Sequence, residues 1–140
     1  MKLNGIAHIQ LTVRDVKKSR AFYAPLLEFF EMQILIDSET YFYCIGSRTG
    51  IAISQIDEKN RELPFDPRHV GLHHLCLRAR EREDIDEIFR FVGKLGAKIV
   101  HPPREDGFAP GYYSVLFEDP DGIRIEVNHV PGRGHLSEKT

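Results

Sequence analysis

The chain runs through the same order of elements twice, and that repetition narrows its possible folds more than any other feature. The first pass opens with a strand over residues 6–13, where Ile9, Leu11 and Val13 alternate with His8, Gln10 and Thr12. Asp15 stands where a helix N-cap is expected, and Val16, Phe22, Tyr23, Leu26, Leu27 and Phe30 form one helical stripe. Pro25 lies inside that stripe and is expected to kink the helix or end it early, because proline has no N–H to donate. Three strand-like runs follow at 31–36, 40–45 and 50–56. The second pass opens at His74-Leu75-Cys76-Leu77-Arg78-Ala79. Its helix carries Ile85, Ile88, Phe89, Val92 and Leu95 and stops at Gly96. Strands are expected at 97–100, 112–118 and 123–130, the last two joined by the turn Asp119-Pro120-Asp121-Gly122.

Each half therefore reads strand, helix, strand, strand, strand. The fold class expected is α+β, a single domain over 1–140 made of two tandem βαβββ modules. Module one spans 5–56 and module two 71–130. A polar linker covers 57–70, with Pro64 and Pro67, and a Gly-rich polar tail over 131–140 is expected to fray.

The remaining composition excludes several roles. With 140 residues the chain has room for one domain with a real core. A net charge of −2 with scattered basic residues argues against nucleic acid or an acidic membrane as partner. No stretch is long and apolar enough to span a bilayer, and no signal peptide is expected. Cys44 and Cys76 both sit in strand-like runs and read as reduced thiols of a cytoplasmic protein.

Strand alternation sorts side chains onto faces. The apolar faces suit the helices. The opposite faces carry His8, Gln10 and Thr12, then His74, Cys76 and Arg78, then Arg124, Glu126 and Asn128. Repeated polar groups suit the lining of a ligand cavity better than a closed core. Two imidazoles and one carboxylate can occupy one side of a divalent metal and leave other positions open. That arrangement serves Fe(II) oxygen chemistry or Lewis-acid chemistry on a bound carbonyl. Taken singly, each of these residues reads as an ordinary histidine or a surface carboxylate.

The run His8-Ile9-Gln10-Leu11-Thr12-Val13-Arg14-Asp15 with Ser19-Arg20-Ala21-Phe22-Tyr23 resembles the opening of vicinal oxygen chelate modules. Gly71-Leu72-His73-His74-Leu75-Cys76-Leu77 and the run from Phe117 to Glu126 resemble the closing module. That superfamily includes glyoxalase I, methylmalonyl-CoA epimerase, fosfomycin and bleomycin resistance proteins and extradiol dioxygenases. The resemblance implies paired modules curled round one metal cavity with helices outside, and His8, His74 and Glu126 as ligands to one divalent ion. Fe, Mn, Ni, Zn and Co are not distinguished. It also implies a small-molecule substrate and a homodimer, in which the paired modules can come from different chains. His73 falls on the other face from His74 and is expected to play a structural or rim part.

One position departs from the family pattern. Aligning Gly50-Ile51-Ala52-Ile53-Ser54 with Gly122-Ile123-Arg124-Ile125-Glu126 puts Ser54 where the isomerising relatives carry a fourth ligand. Gln55 reaches that place only if the register slips by one. The function expected is that of a metal-dependent, glyoxalase-like lyase or isomerase. An Fe(II) extradiol-type dioxygenase and a non-catalytic drug- or metabolite-binding resistance protein are the alternatives. His101, Tyr113 and His69 are acid–base candidates by position. Arg78, Arg124, Ser54 and Gln10 are candidates for substrate contact, the arginines for an anionic group. The segment 101–111, with Pro102, Pro103 and Pro110, has no counterpart in module one and is expected to be a loop able to cover a cavity.

Overall fold

The computed structural model describes residues 1–46 and 48–132. The tail residues 133–140, where fraying is expected, lie outside the described residues. The chain divides into two compact units, Met1–Pro64 and Phe65 onward, the break falling inside the stretch 57–70.

The first unit contains β1 (His8–Val13), α1 (Val16–Phe29), β2 (Gln33–Asp37), β3 (Tyr41–Gly46) and β4 (Thr49–Gln55). The second contains β5 (Leu75–Arg78), α2 (Glu83–Lys94), β6 (Lys98–Glu105), β7 (Tyr113–Glu118) and β8 (Arg124–His129). A short 3₁₀ turn at Glu58–Asn60 follows β4. The sheet orders are β1-β4-β3-β2 and β5-β8-β7-β6, so the two units share one topology. In each, the first and last strands pair in parallel and the other pairs are antiparallel. The fold is α+β, with two βαβββ modules that each have a mixed sheet of their own.

The helices cover the faces the alternation assigns to them. In the first unit Leu11, Val13, Phe42, Cys44, Ile51 and Ile53 are buried along with Phe22, Tyr23, Leu26 and Leu27 of α1. In the second, Ile85, Ile88 and Val92 recur at helical spacing and are buried with Val115, Phe117, Ile125 and Val127. Each such side chain contributes roughly 1.5–3 kcal/mol by leaving water, which outweighs weak local preferences.

Pro25 shows this balance, and of the kink or early end expected there the early end is corrected. Helix α1 does not end there but continues to Phe29. The proline forfeits one backbone hydrogen bond, while Leu26 and Leu27 beyond it are buried almost completely. Asp15 caps the helix by accepting from the Lys18 N–H at 3.1 Å.

The two helices close in the same way. In α2, Gly96 has φ +75, its N–H donates to the Gly93 carbonyl, and the Ala97 N–H reaches the Val92 carbonyl. In α1 the equivalent residue is Glu31, at φ +57, with the Glu31 N–H on the Glu28 carbonyl and the Met32 N–H on the Leu27 carbonyl. Both are the paired bonds of a Schellman ending, which favours glycine at the left-handed residue. Residues 31 and 32 thus belong to the helix ending, and the strand expected over 31–36 begins instead at Gln33. Replacing Glu31 by glycine is expected to stabilise the protein by about 1 kcal/mol, seen as a higher urea midpoint at unchanged slope.

The segment 101–111 also differs from expectation. Residues up to Glu105 belong to β6, so only the connection after it is a loop. Pro102 and Pro103 are tolerated because β6 is an edge strand and its pairing with β7 is irregular between His101 and Arg104.

Candidate functional site

On β8 the period of two sends Ile125 and Val127 toward the helix and Arg124, Glu126 and Asn128 to the other face. Register places Glu126 beside Cys76 on β5 and Leu116 on β7, and Asn128 beside Arg78 and Ser114. His74 stands immediately before β5. Its Nε2 lies 3.1 Å from Glu126 Oε2, and the Glu126 side chain is only 12% exposed. The other oxygen, Oε1, accepts a hydrogen bond from the Tyr112 hydroxyl at 2.6 Å. His74 Nδ1 faces His73 Nδ1 at 2.7 Å. One of those two nitrogens must carry the proton and the other accept it.

These contacts decide what the pair can hold. When His74 gives its Nδ1–H to His73, its Nε2 presents a lone pair to a carboxylate oxygen 3.1 Å away. In that tautomer the nitrogen and the carboxylate oxygen can hold one cation between them, and in the reverse tautomer the Nε2–H donates to Glu126. The pair thus fits two of the three ligands named from the sequence. His73, expected to play a structural or rim part, is exposed and orients His74 through that Nδ1 contact.

The surroundings are polar and graded in exposure, from Glu126 at 12% to His74 at 34%. Burial, and then the bond to Glu126, raise the Tyr112 hydroxyl well above its ordinary pKa, so it remains a donor. Burial among its neighbours and then the Glu126 charge push the Cys76 thiol up to about 12, keeping it neutral beside the pair. Asn128 is 5% exposed, and its Oδ1 has no partner among the described residues. A buried acceptor in that condition is open to water, an ion or a ligand.

Other second-unit candidates are placed differently. The Tyr113 hydroxyl donates to Asp86 of α2 at 2.9 Å, and the Arg82 guanidinium stacks 3.7 Å from its ring centre. That contact fastens the helix to the sheet. His101 is half-buried on β6 opposite Leu116, its Nδ1 2.9 Å from the Pro102 carbonyl. His69 is exposed, with Nε2 3.9 Å from Asp66. Arg68 grips the same aspartate and holds its carboxyl far below the usual range. Arg78 is exposed at its register position opposite Asn128. Arg124 faces Glu118, its Nε 3.7 Å from Oε1, while Lys98 bonds Oε2 of the same carboxylate at 2.8 Å.

In the first unit, His8 is exposed on β1 opposite Gly50 of β4. Gln10 Nε2 donates to Ser54 Oγ at 3.3 Å, and that hydroxyl lies 3.5 Å from the Leu11 carbonyl. Tyr43 crosses the same face above Gly50, where a Cβ would run into its ring. Gln55 is committed elsewhere. Its Oε1 accepts from the Val16 N–H at 3.0 Å and its Nε2 donates to the Arg14 carbonyl at 2.8 Å, so it secures the start of α1. Among the described residues no group of three or more His, Cys, Asp or Glu is gathered as a metal would require. Of the three proposed ligands, His74 and Glu126 meet within the second unit, and His8 belongs to the first.

Residues 5–127 match the Glyoxalase/Bleomycin resistance protein/Dioxygenase superfamily. The chain belongs to that superfamily. Its members typically use a divalent metal and bind small-molecule substrates. Among proteins similar to this member is the metallothiol transferase FosB of Shouchella clausii, 27% identical over 127 residues, 90% of this chain and 80% of FosB. A glyoxylase/bleomycin resistance protein/dioxygenase domain from Frankia sp. EAN1pec is 26% identical with a TM-score of 0.72, covering 91% of this chain and 98% of that one. Lactoylglutathione lyase from Agrobacterium tumefaciens shares the fold at a TM-score of 0.67 and 21% identity, over 92% and 96% of the two chains. No helix among the described residues is long and apolar enough to cross a membrane.

Sequence reasoning passed over Tyr112 and named its neighbour Tyr113. The turn at 119–122 contained the missing signal. Its closing pair Glu118 and Arg124 fixes the register, and counting back by twos from Leu116 through Ser114 puts residue 112 on the Glu126 face.

Proposed function

We propose that this superfamily member is a divalent-metal-dependent enzyme of glyoxalase type, a lyase or isomerase, with His8, His74 and Glu126 as metal ligands. The observation that supports it most is the meeting of a partly exposed His74 Nε2 with the largely buried Glu126 Oε2 at 3.1 Å, the remaining carboxylate oxygen being already occupied by Tyr112. A metal held there would act as a Lewis acid toward a small substrate offering two adjacent oxygens. Gln10 and Ser54 supply neutral polar contacts, and Arg78 suits an anionic substituent better than Arg124, whose charge already faces Glu118. A cytoplasmic homodimer completes the proposal.

A second reading has its own support. Isomerisation requires a base to take a proton from carbon, and β4 offers only the Ser54 hydroxyl, because Gln55 is held at the helix. Adding a thiol to an activated electrophile needs no such carboxylate, and the FosB relative is named as a metallothiol transferase.

Metal analysis of protein prepared without chelators tests the shared part, with about one equivalent per chain expected. Loaded protein is then offered a hemithioacetal, a thiol with an epoxide, and a catechol in oxygen. Turnover of the first supports the lyase or isomerase, and of the second the transferase. Oxygen uptake with the third would replace both by a dioxygenase. Metal-free protein that binds none of the first-row ions would end the proposal.

A further inference from the structure

Tyr112 is held more firmly than a residue at the end of a loop needs to be. Its N–H donates to the Ala109 carbonyl and its carbonyl accepts from the Asp106 N–H, both at 3.0 Å, closing the connection between β6 and β7. Gly111 just before it is in the left-handed region at φ +70, and a Cβ there would come within 2.8 Å of Pro131. Phe108 flanks its ring at 5.6 Å between centres. The hydroxyl is thus fixed from several directions, and its short bond goes to Oε1 of Glu126 while Oε2 faces His74.

We propose that Tyr112 is a positioning residue that makes Glu126 a one-oxygen ligand. A carboxylate can bind a metal through one oxygen or both. With Oε1 accepting from the Tyr112 hydroxyl at 2.6 Å, two-oxygen binding would require breaking that short bond at a carboxylate only 12% exposed. Oε2, the oxygen facing His74, would then be the one free to hold a metal. This inference rests on the metal reading above. It adds a residue that reading does not use and a coordination mode it does not specify.

Co(II) is the probe, because the intensity of its visible bands reports coordination number independently of turnover. Tyr112→Phe keeps the ring beside Phe108 and removes only the hydroxyl. It is expected to weaken Co(II) binding by roughly 10- to 100-fold and to lower the band intensity, as the freed carboxylate binds through both oxygens. A merely structural role would lower the unfolding temperature of the metal-free variant and leave the Co(II) spectrum as in wild type. An unchanged spectrum and affinity in Tyr112→Phe, with Co(II) lost in Glu126→Gln, would overturn the role of Tyr112 and leave the metal site standing. Full Co(II) binding by Glu126→Gln would overturn both.

Discussion

Glu126→Gln protein is expected to fold and to bind divalent first-row metals at least roughly 100-fold more weakly than wild type. The amide keeps the volume of the side chain, and its carbonyl can still accept from the Tyr112 hydroxyl, so the local packing is retained. What is lost is the negative oxygen facing His74 Nε2. A neutral amide oxygen is a much weaker ligand for ions that favour imidazole and carboxylate. Calorimetric titration with Zn(II) or Mn(II) gives the affinity directly. Thermal unfolding offers an independent check. A metal present at a hundred times its Kd stabilises the native state by about 2.7 kcal/mol, so wild type should melt higher with metal and the variant should not. Glu118→Gln is the control, because Lys98 and Arg124 engage that carboxylate on the same face. Its affinity should match wild type. Equal losses in both variants would point to a general charge effect and remove Glu126 from the ligand set.

Much of this geometry was legible in the sequence, and the failures have definite causes. Period-two alternation assigned Glu126 and Asn128 to one face and Ile125 and Val127 to the other, and the register confirms that division. It could not show that His74 and Glu126 approach within 3.1 Å, because that depends on parallel pairing between strands about fifty residues apart. Only the family resemblance linked them. Local rules failed where tertiary packing or an edge relaxed them. Pro25 was read by its missing N–H, yet the buried leucines after it carry the helix onward. Pro102 and Pro103 suggested a loop, yet an irregular edge strand accommodates both. Gln55 would reach the ligand position only by a one-residue slip, and the β1–β4 register shows none. Its two hydrogen bonds to Val16 and Arg14 come from the β1–β4 register. Alternation carried back through the hairpin puts Tyr112, rather than Tyr113, on the Glu126 face.

The same hairpin gives the second large effect, which connects a turn to the site. Asp119 is 6% exposed, and its Oδ1 accepts from the N–H groups of Asp121 and Ile123, both at 2.8 Å. Its backbone N–H also reaches the Ile123 carbonyl, and the Gly122 N–H, at φ +87, returns to the Asp119 carbonyl. One carboxylate oxygen thereby satisfies two turn donors, one of them buried. Asp119→Ala leaves both unpaired, and the expected destabilisation is about 3 kcal/mol. Asp119→Asn keeps a neutral acceptor in the same place and should cost about half as much. Chemical denaturation of the two variants measures the difference. The turn also sets which β7 residue faces which β8 residue, and a slip of one would turn Glu126 toward the helix side and Ile125 toward His74. Metal affinity in Asp119→Ala should therefore fall along with stability, although Asp119 is not among the proposed ligands. If stability falls while metal affinity stays at the wild-type value, the register is held by the strands themselves and the turn only follows it.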